Sequence, residues 1–278
     1  MKNNLKILAC TFALLGLTPQ FAVATPMLAP GAVNDLNFNV AQNIQDTDHN
    51  GALSLGDLVY GIVNVTRISS GGNTLWNANN VLGPGVDSLS GYYVAAVTSI
   101  TALLSPFAAS ITLGAAGFDP NGVLSSSDLA AHTMVKLFTD TLTPFQTGTS
   151  VAADIARATD GSMWAALGLN GGYWNSVLMN NGLIFAGGGM NFTSNNTGQN
   201  FTPQSNPSCS PSCPPTDFVF STIATDNGPG QVWRNSGANN GSLATVPEPA
   251  TPLLIFAGLL GWAASRRATR LNKNRNKE

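Results

Sequence analysis

The sequence predicts a mainly β chain: a single β-sandwich- or barrel-like domain with a few short helices, plus an N-terminal signal helix and a C-terminal transmembrane helix. Three observations predict it. Between residues 51 and 242 the apolar runs are rich in β-branched and aromatic residues, which favour an extended chain. Glycine- and asparagine-rich turns separate those runs, as they do in sandwiches and barrels. An apolar stretch beside basic residues marks each end of the chain.

Residues 1–24 read as a signal peptide. Lys2 and Lys6 precede an apolar core at 7–17, and Ala22-Val23-Ala24 is a small-x-small cleavage site. The domain is expected over 25–240. Its strand candidates are 54–68, 92–100, 134–138, 162–167, 182–185, 190–193, 217–223 and 231–234. Turns are expected at 70–73, 170–172, 180–182 and 226–228, where Gly and Asn cluster. Helices are expected at 129–134, capped by Ser127-Asp128 or by Ser125 or Ser126, and at 151–158. The run 98–111 is ambiguous, with Pro106 interrupting any long helix. Residues 195–215 read as a long polar loop. Cys209 and Cys213 lie within it, and in an oxidising compartment they are expected to form a disulfide.

Composition narrows the function. Charged residues make up 9% of the 278, against about 25% in ordinary soluble domains. Between residues 25 and 245 only Arg67, Lys136, Arg157 and Arg234 oppose twelve aspartates. A body this acidic repels phosphates and argues against a nucleic-acid partner, while it attracts metal cations.

One segment carries metal chemistry. Residues 46–57, Asp-Thr-Asp-His-Asn-Gly-Ala-Leu-Ser-Leu-Gly-Asp, match an EF-hand or dockerin-type calcium loop. Its oxygens would come from Asp46, Asp48, Asn50, the Ala52 carbonyl, Ser54 and Asp57, with Gly51 at the sharp turn. Ca2+ is therefore the cofactor to test. Three features weaken the match: Asp57 replaces the usual Glu, a β-branched run follows where a helix should exit, and no proper partner loop exists. Residues 117–128 share the outline, but Gly117 stands in the first ligand position. The competing account is a polar β-turn with Asn50-Gly51 at positive φ.

The common serine-hydrolase, zinc-protease and phosphate-loop signatures are missing, so the chain is read as non-enzymatic. Glutamate is also missing before the C-terminal segment. Asp154 and Asp160 around Arg157 read as a solvated face. Trp76, Tyr92, Tyr93, Trp164, Tyr173, Trp174 and Trp233 would stack on sugars if they clustered on an exposed face, and otherwise fill the core.

Residues 241–278 form a linker and a tripartite tail. Val246-Pro247-Glu248-Pro249 comes first, then an apolar segment at 251–265 containing Gly258 and Gly261, then a basic tail at 266–278 opening on Arg266-Arg267. Prolines keep the first part extended. The apolar part suits a short membrane helix, and the bases hold its far end in the cytoplasm. This tail resembles the PEP-CTERM sorting domain. The resemblance implies export, an inner-membrane intermediate, processing by an exosortase, and delivery to the cell surface or extracellular space. The family's association with exopolysaccharide and biofilm matrix implies a matrix protein. The alternatives are a carbohydrate-binding or calcium-dependent adhesion module, and then a secreted hydrolase. Residues 56–63 and 158–164 are similar to segments in other exported proteins with this tail, none of known activity.

Overall fold

Leu36, Phe38 and Val40 alternate with polar residues in the first strand, and that period of two turns one face of the sheet inward. The same alternation recurs strand after strand until the sheet closes on itself. The computed structural model describes residues 26–78, 87–141, 145–206 and 213–247. The strands are β1 (Val33–Gln45), β2 (Leu58–Ser70), β3 (Asn73–Asn77), β4 (Ser88–Ala102), β5 (Phe107–Ala115), β6 (Thr133–Asp140), β7 (Ser162–Met179), β8 (Ile184–Asn195), β9 (Phe218–Asp226) and β10 (Asn235–Ala244). Two short helices are α1 (Ser126–Ala130) and α2 (Val151–Ala158).

The sheet is an eight-stranded antiparallel barrel with two extra strands. Its order is β2, β1, β10, β9, β8, β7, β5, β4, and β4 pairs back with β2 to close the ring. Between β4 and β7 two strands share one place. β6 pairs with residues 88–93 and 162–168 at one end, and β5 pairs with 95–102 and 174–179 at the other. β3 only extends a hairpin from β2, through the Gly71-Gly72 turn at positive φ. Closure removes the exposed edges that an open sandwich would leave.

Inside, Leu36, Val65, Tyr93, Leu167, Trp174, Met190, Phe220 and Leu243 make the main core. β2 and β4 are apolar on both faces. Their outward residues Leu58, Ile62, Tyr92 and Val94 pack under Ile155 and Ala158 of α2, with Leu124, Phe145 and Trp233. Burying a side chain such as Ile62 there contributes about 1.5–3 kcal/mol. That double burial explains the dense β-branched run at 54–68.

The expected mainly β fold holds, and the barrel, not the sandwich, is the form it takes. Several elements differ in position. The turn expected at 170–172 is a bulge inside β7, with Gly171 at φ 77 and a register shift between Gly168 and Tyr173. Of the expected segment 182–185 only 184–185 are strand, and they join 190–193 in one strand, β8, running through three glycines. Gly188 is needed there, because a Cβ would lie 2.6 Å from the Phe220 ring and 2.5 Å from the Tyr173 carbonyl. Residues 231–234 are a turn, and the strand follows at Asn235–Ala244. The first helix starts at Ser126, because Ser125 and Asp128 form a capping box. It ends before His132, whose φ is 57. The signal helix and the transmembrane helix lie outside the described residues.

Strand direction gives the barrel two unlike ends. The 46–57 loop and the tips at 103–106, 180–183 and 227–234 surround one end, the mouth. At the other, Asn34 is buried and bonds Ala29 and Ala32, while Thr245 Oγ1 donates to Ala29 O at 2.6 Å. That end is stitched shut by the segments entering β1 and leaving β10.

Candidate functional site

The loop 46–57 joins β1 to β2 at the mouth, and the last residue of the motif is the best anchored. Asp57 is fully buried. Its Oδ1 accepts from Thr47 N (2.8 Å) and Thr47 Oγ1 (3.1 Å), and its Oδ2 from Ser54 N (2.7 Å) and Ser54 Oγ (3.2 Å). Burial pushes the Asp57 carboxyl up, but the four donors outweigh it and hold the group below the usual carboxylate range. Asp46 Oδ2 accepts from Gly51 N at 2.7 Å, and that bond above all keeps its carboxyl low. Ser54 Oγ also donates to Asp48 at 3.0 Å.

These bonds bring ligand oxygens of Asp46, Asp48 and Asp57 within 4.8 Å of one another, so the acidic cluster can hold a metal ion. Ser54 joins them. Asn50 turns its side-chain oxygen to Ala52 N (2.7 Å) and its amide nitrogen to Asp48 (2.7 Å), so that oxygen serves the loop. Gly51 has φ 78. The chain leaves the loop as β2, without an exiting helix.

Residues 117–128 repeat this construction. Gly122 takes φ 70 where Gly51 takes 78. Asn121 N donates to Asp119 at 3.0 Å, as Asn50 N does to Asp48 at 3.2 Å. Ser125 N and Oγ both donate to Asp128, as Ser54 does to Asp57. The difference is Lys136 on β6. Its Nζ sits 2.6 Å from Asp128 Oδ2 and 3.5 Å from the Val123 carbonyl, loop positions twelve and seven. An ammonium thus occupies a place where a calcium loop would present oxygens to a cation. Among the described residues, no Lys or Arg pairs with Asp46, Asp48 or Asp57. Sequence reasoning passed over Lys136, though it is the only lysine between residues 25 and 245.

The other candidates scatter. Asp154 is no solvated residue: it is fully buried on the inner face of α2, and the Trp233 indole donates to it at 2.8 Å. Asp160 is exposed, as expected of a solvated face; it faces Asp140, and partial desolvation together with that neighbouring charge pushes its carboxyl up. This pair sits at the closed end, where β6 stops and β7 begins, and lines neither the interior cavity nor the mouth. Trp76, Tyr92, Tyr93, Trp164, Trp174 and Trp233 are all buried, so they present no stacking platform to a sugar. Cys213 is disulfide-bonded; Cys209 lies outside the described residues.

Of the sorting residues, Val246 and Pro247 are described. Val246 N donates to Asn200 O at 2.8 Å, and Pro247 packs beside Gly31. Glu248, Pro249, Arg266 and Arg267 lie outside the described residues. Among the described residues no helix is long and apolar enough to cross a membrane.

Comparison with known families places a PEP-CTERM protein-sorting motif at residues 245–267. That motif implies an exported protein sorted and processed by an exosortase. No curated protein and no solved structure matches the chain.

Proposed function

We propose that this chain is a non-enzymatic protein of the cell surface or extracellular matrix, a stable barrel delivered by the sorting segment. One observation carries the reading: the matched motif begins at residue 245, directly after β10 ends at Ala244. The recognition segment therefore issues from a finished barrel with almost no linker. An association with exopolysaccharide is part of the proposal, supported by a body poor in charged residues and rich in Asn and Thr. Mass spectrometry of the mature C-terminus in exosortase-positive and exosortase-deficient cells tests it. Cleavage near residues 246–249 is expected only in the first, with the barrel outside the cell. An uncut, membrane-held chain in both strains would refute it.

A second reading, that the 46–57 loop takes calcium to stiffen the mouth, is favoured by its likeness to the loop that Lys136 fills. The Asp46 loop has one carboxylate more and no ammonium, which leaves a demand for a cation from solution. Extracellular calcium modules bind at roughly 10⁻⁴–10⁻³ M. At 10 mM calcium such a site adds about 1.4–2.7 kcal/mol to stability. Thermal melts with calcium, magnesium and EDTA should show that gain for calcium alone, and Asp46→Asn should remove it. Equal melting in calcium and EDTA would leave the polar turn as the correct account.

A further inference from the structure

The barrel is not filled to its mouth. Below the loop tips lies a cavity of about 230 Å³, lined by Ile44, Leu53, Val59, Leu113, Leu178 and Ile184 among others. A smaller chamber of about 70 Å³, almost wholly apolar, lies deeper. Both are far larger than the ~10–15 Å³ that admits one water. Gln42, Trp174 and Thr222 border both spaces. The Trp174 ring is fixed between Tyr93 at 5.7 Å and an edge-on Phe220 at 5.1 Å. It forms the partition between the chambers.

Among the described residues, two polar atoms on this wall lack partners: Trp174 is 8% exposed and its Nε1–H finds no acceptor there, and Asn235 is 5% exposed and its Oδ1 finds no donor there. Orphaned buried groups cost about 1–3 kcal/mol each, and such groups are rare enough that each calls for a physical reason. The partner set they define is specific. The indole needs an acceptor and the amide oxygen needs a donor, and a hydroxyl is both. At the rim, Asp226 and Arg234 pair at 2.5 Å. Among the described residues they are the only charged members of the cavity lining and they cancel one another, so the lining itself offers no net charge to select an ion. The remaining wall is mostly apolar, with Gln42, Ser176 and Thr222 as its other polar members.

We propose that the barrel mouth binds a small uncharged amphiphile, a compact apolar body bearing a hydroxyl, with Trp174 Nε1 and Asn235 Oδ1 as its polar contacts. An eight-stranded barrel is wide enough to hold one small ligand in this way, and barrel mouths are favoured sites for such ligands. The body rests among Ile44, Val59, Leu178 and Ile184. Leu53 reaches in from the 46–57 loop, so the loop forms part of the wall.

The test uses two probes of one shape, 1-phenylethanol and isopropylbenzene, in which a hydroxyl replaces a methyl. Dissociation constants are measured on the exported chain by ligand-observed NMR. The alcohol is expected to saturate one site and to bind about tenfold more tightly than the hydrocarbon. Trp174→Phe keeps a ring in the partition and removes the donor; it should weaken the alcohol about tenfold and leave the hydrocarbon within about twofold. Asn235→Leu should act in the same direction. Ala186→Leu, which fills the chamber without touching either polar atom, should abolish binding of both while the near-ultraviolet circular dichroism stays native. Absence of saturable alcohol binding to the native chain overturns the proposal. So does equal weakening of both probes by Trp174→Phe, which would mean the indole nitrogen plays no part.

Discussion

Asp154→Asn removes one negative charge and changes no volume, and the cost follows from what the carboxylate holds. Its Oδ2 accepts from Gly148 N and Trp233 Nε1, both at 2.8 Å, and its Oδ1 from Thr149 Oγ1 at 2.9 Å and Thr149 N at 3.3 Å. Whichever way an asparagine amide turns, its NH2 faces donors. At least one pair of charge-assisted bonds is lost, and the buried Trp233 or the Thr149 donors lose their partner. Two such bonds at about 1.5 kcal/mol each give a loss of about 3 kcal/mol. For a domain of this size that lowers Tm by roughly 6–12 °C. Burial pushes the Asp154 carboxyl up, but the donors outweigh it and hold it below the usual range. A depressed folded pKa means that the stabilisation is complete above the unfolded value, near pH 4, and is lost as pH falls through the folded value. Acid melts of the native chain should show that loss, and those of Asp154→Asn should lack this component. Trp233→Phe in the same background should be less than additive by about 1–2 kcal/mol. A loss under 1 kcal/mol at pH 7, or full additivity, would refute the argument that Asp154 joins α2 to the barrel through Trp233.

Gly188→Ala puts a methyl against the Phe220 ring and the Tyr173 carbonyl; urea unfolding should show a loss of about 1–3 kcal/mol, whereas Gly198→Ala, with open space around it but φ at 77, tests backbone strain alone. Lys136→Met strips Asp128 of its ammonium while the Ser125 bonds remain. With both groups partly exposed to screening solvent, thermal melts should register about 1–2 kcal/mol. Burial raises the Asp128 carboxyl and the Lys136 and Ser125 bonds more than reverse it, so this stabilisation is present above pH 4 and fades in acid; the variant should lose less stability on acidification than the native chain.

Turn chemistry made much of the barrel legible. Gly71-Gly72, Asn181-Gly182 and Asn227-Gly228 punctuate the chain where hairpins turn, and the helix expected at 151–158 forms there, with Ser150 as its cap. What stayed hidden has physical causes. β10 is built from Asn, Ser and Gly, whose propensities speak against a strand; it forms because β1 and β9 hydrogen-bond it from both sides. The glycines at 187–189 fall in the gap between the strand candidates 182–185 and 190–193, yet they mark a close approach of aromatic rings that only the closed barrel creates. The acidic loop was plain in the sequence because its ligands are contiguous. The Asp154–Trp233 bond and the Trp174–Asn235 wall were not, since their members lie 79 positions apart in the first case and meet only through strand order in the second.

Strand direction fixes one consequence that composition could not supply. β10 begins at the mouth with Asn235 and ends at the closed end with Ala244, so the sorting motif starts where Asn34 and Thr245 seal the barrel. The mouth, the acidic loop and the exposed Leu55, Leu103 and Leu104 of the neighbouring tips all lie at the opposite end. A chain held by its tail therefore has its sealed end next to the attachment point, and its mouth and acidic loop a barrel length away. The same geometry separates two costs. Because Thr245 N bonds Ala32 O, Val246 N bonds Asn200 O and Pro247 packs beside Gly31, a cut at or after residue 248 leaves the seal intact. A cut before Thr245 would remove the hydroxyl that bonds Ala29 and Ala32, and would loosen the end on which β1 and β10 depend. The fold thus tolerates processing on one side of that residue and resists it on the other.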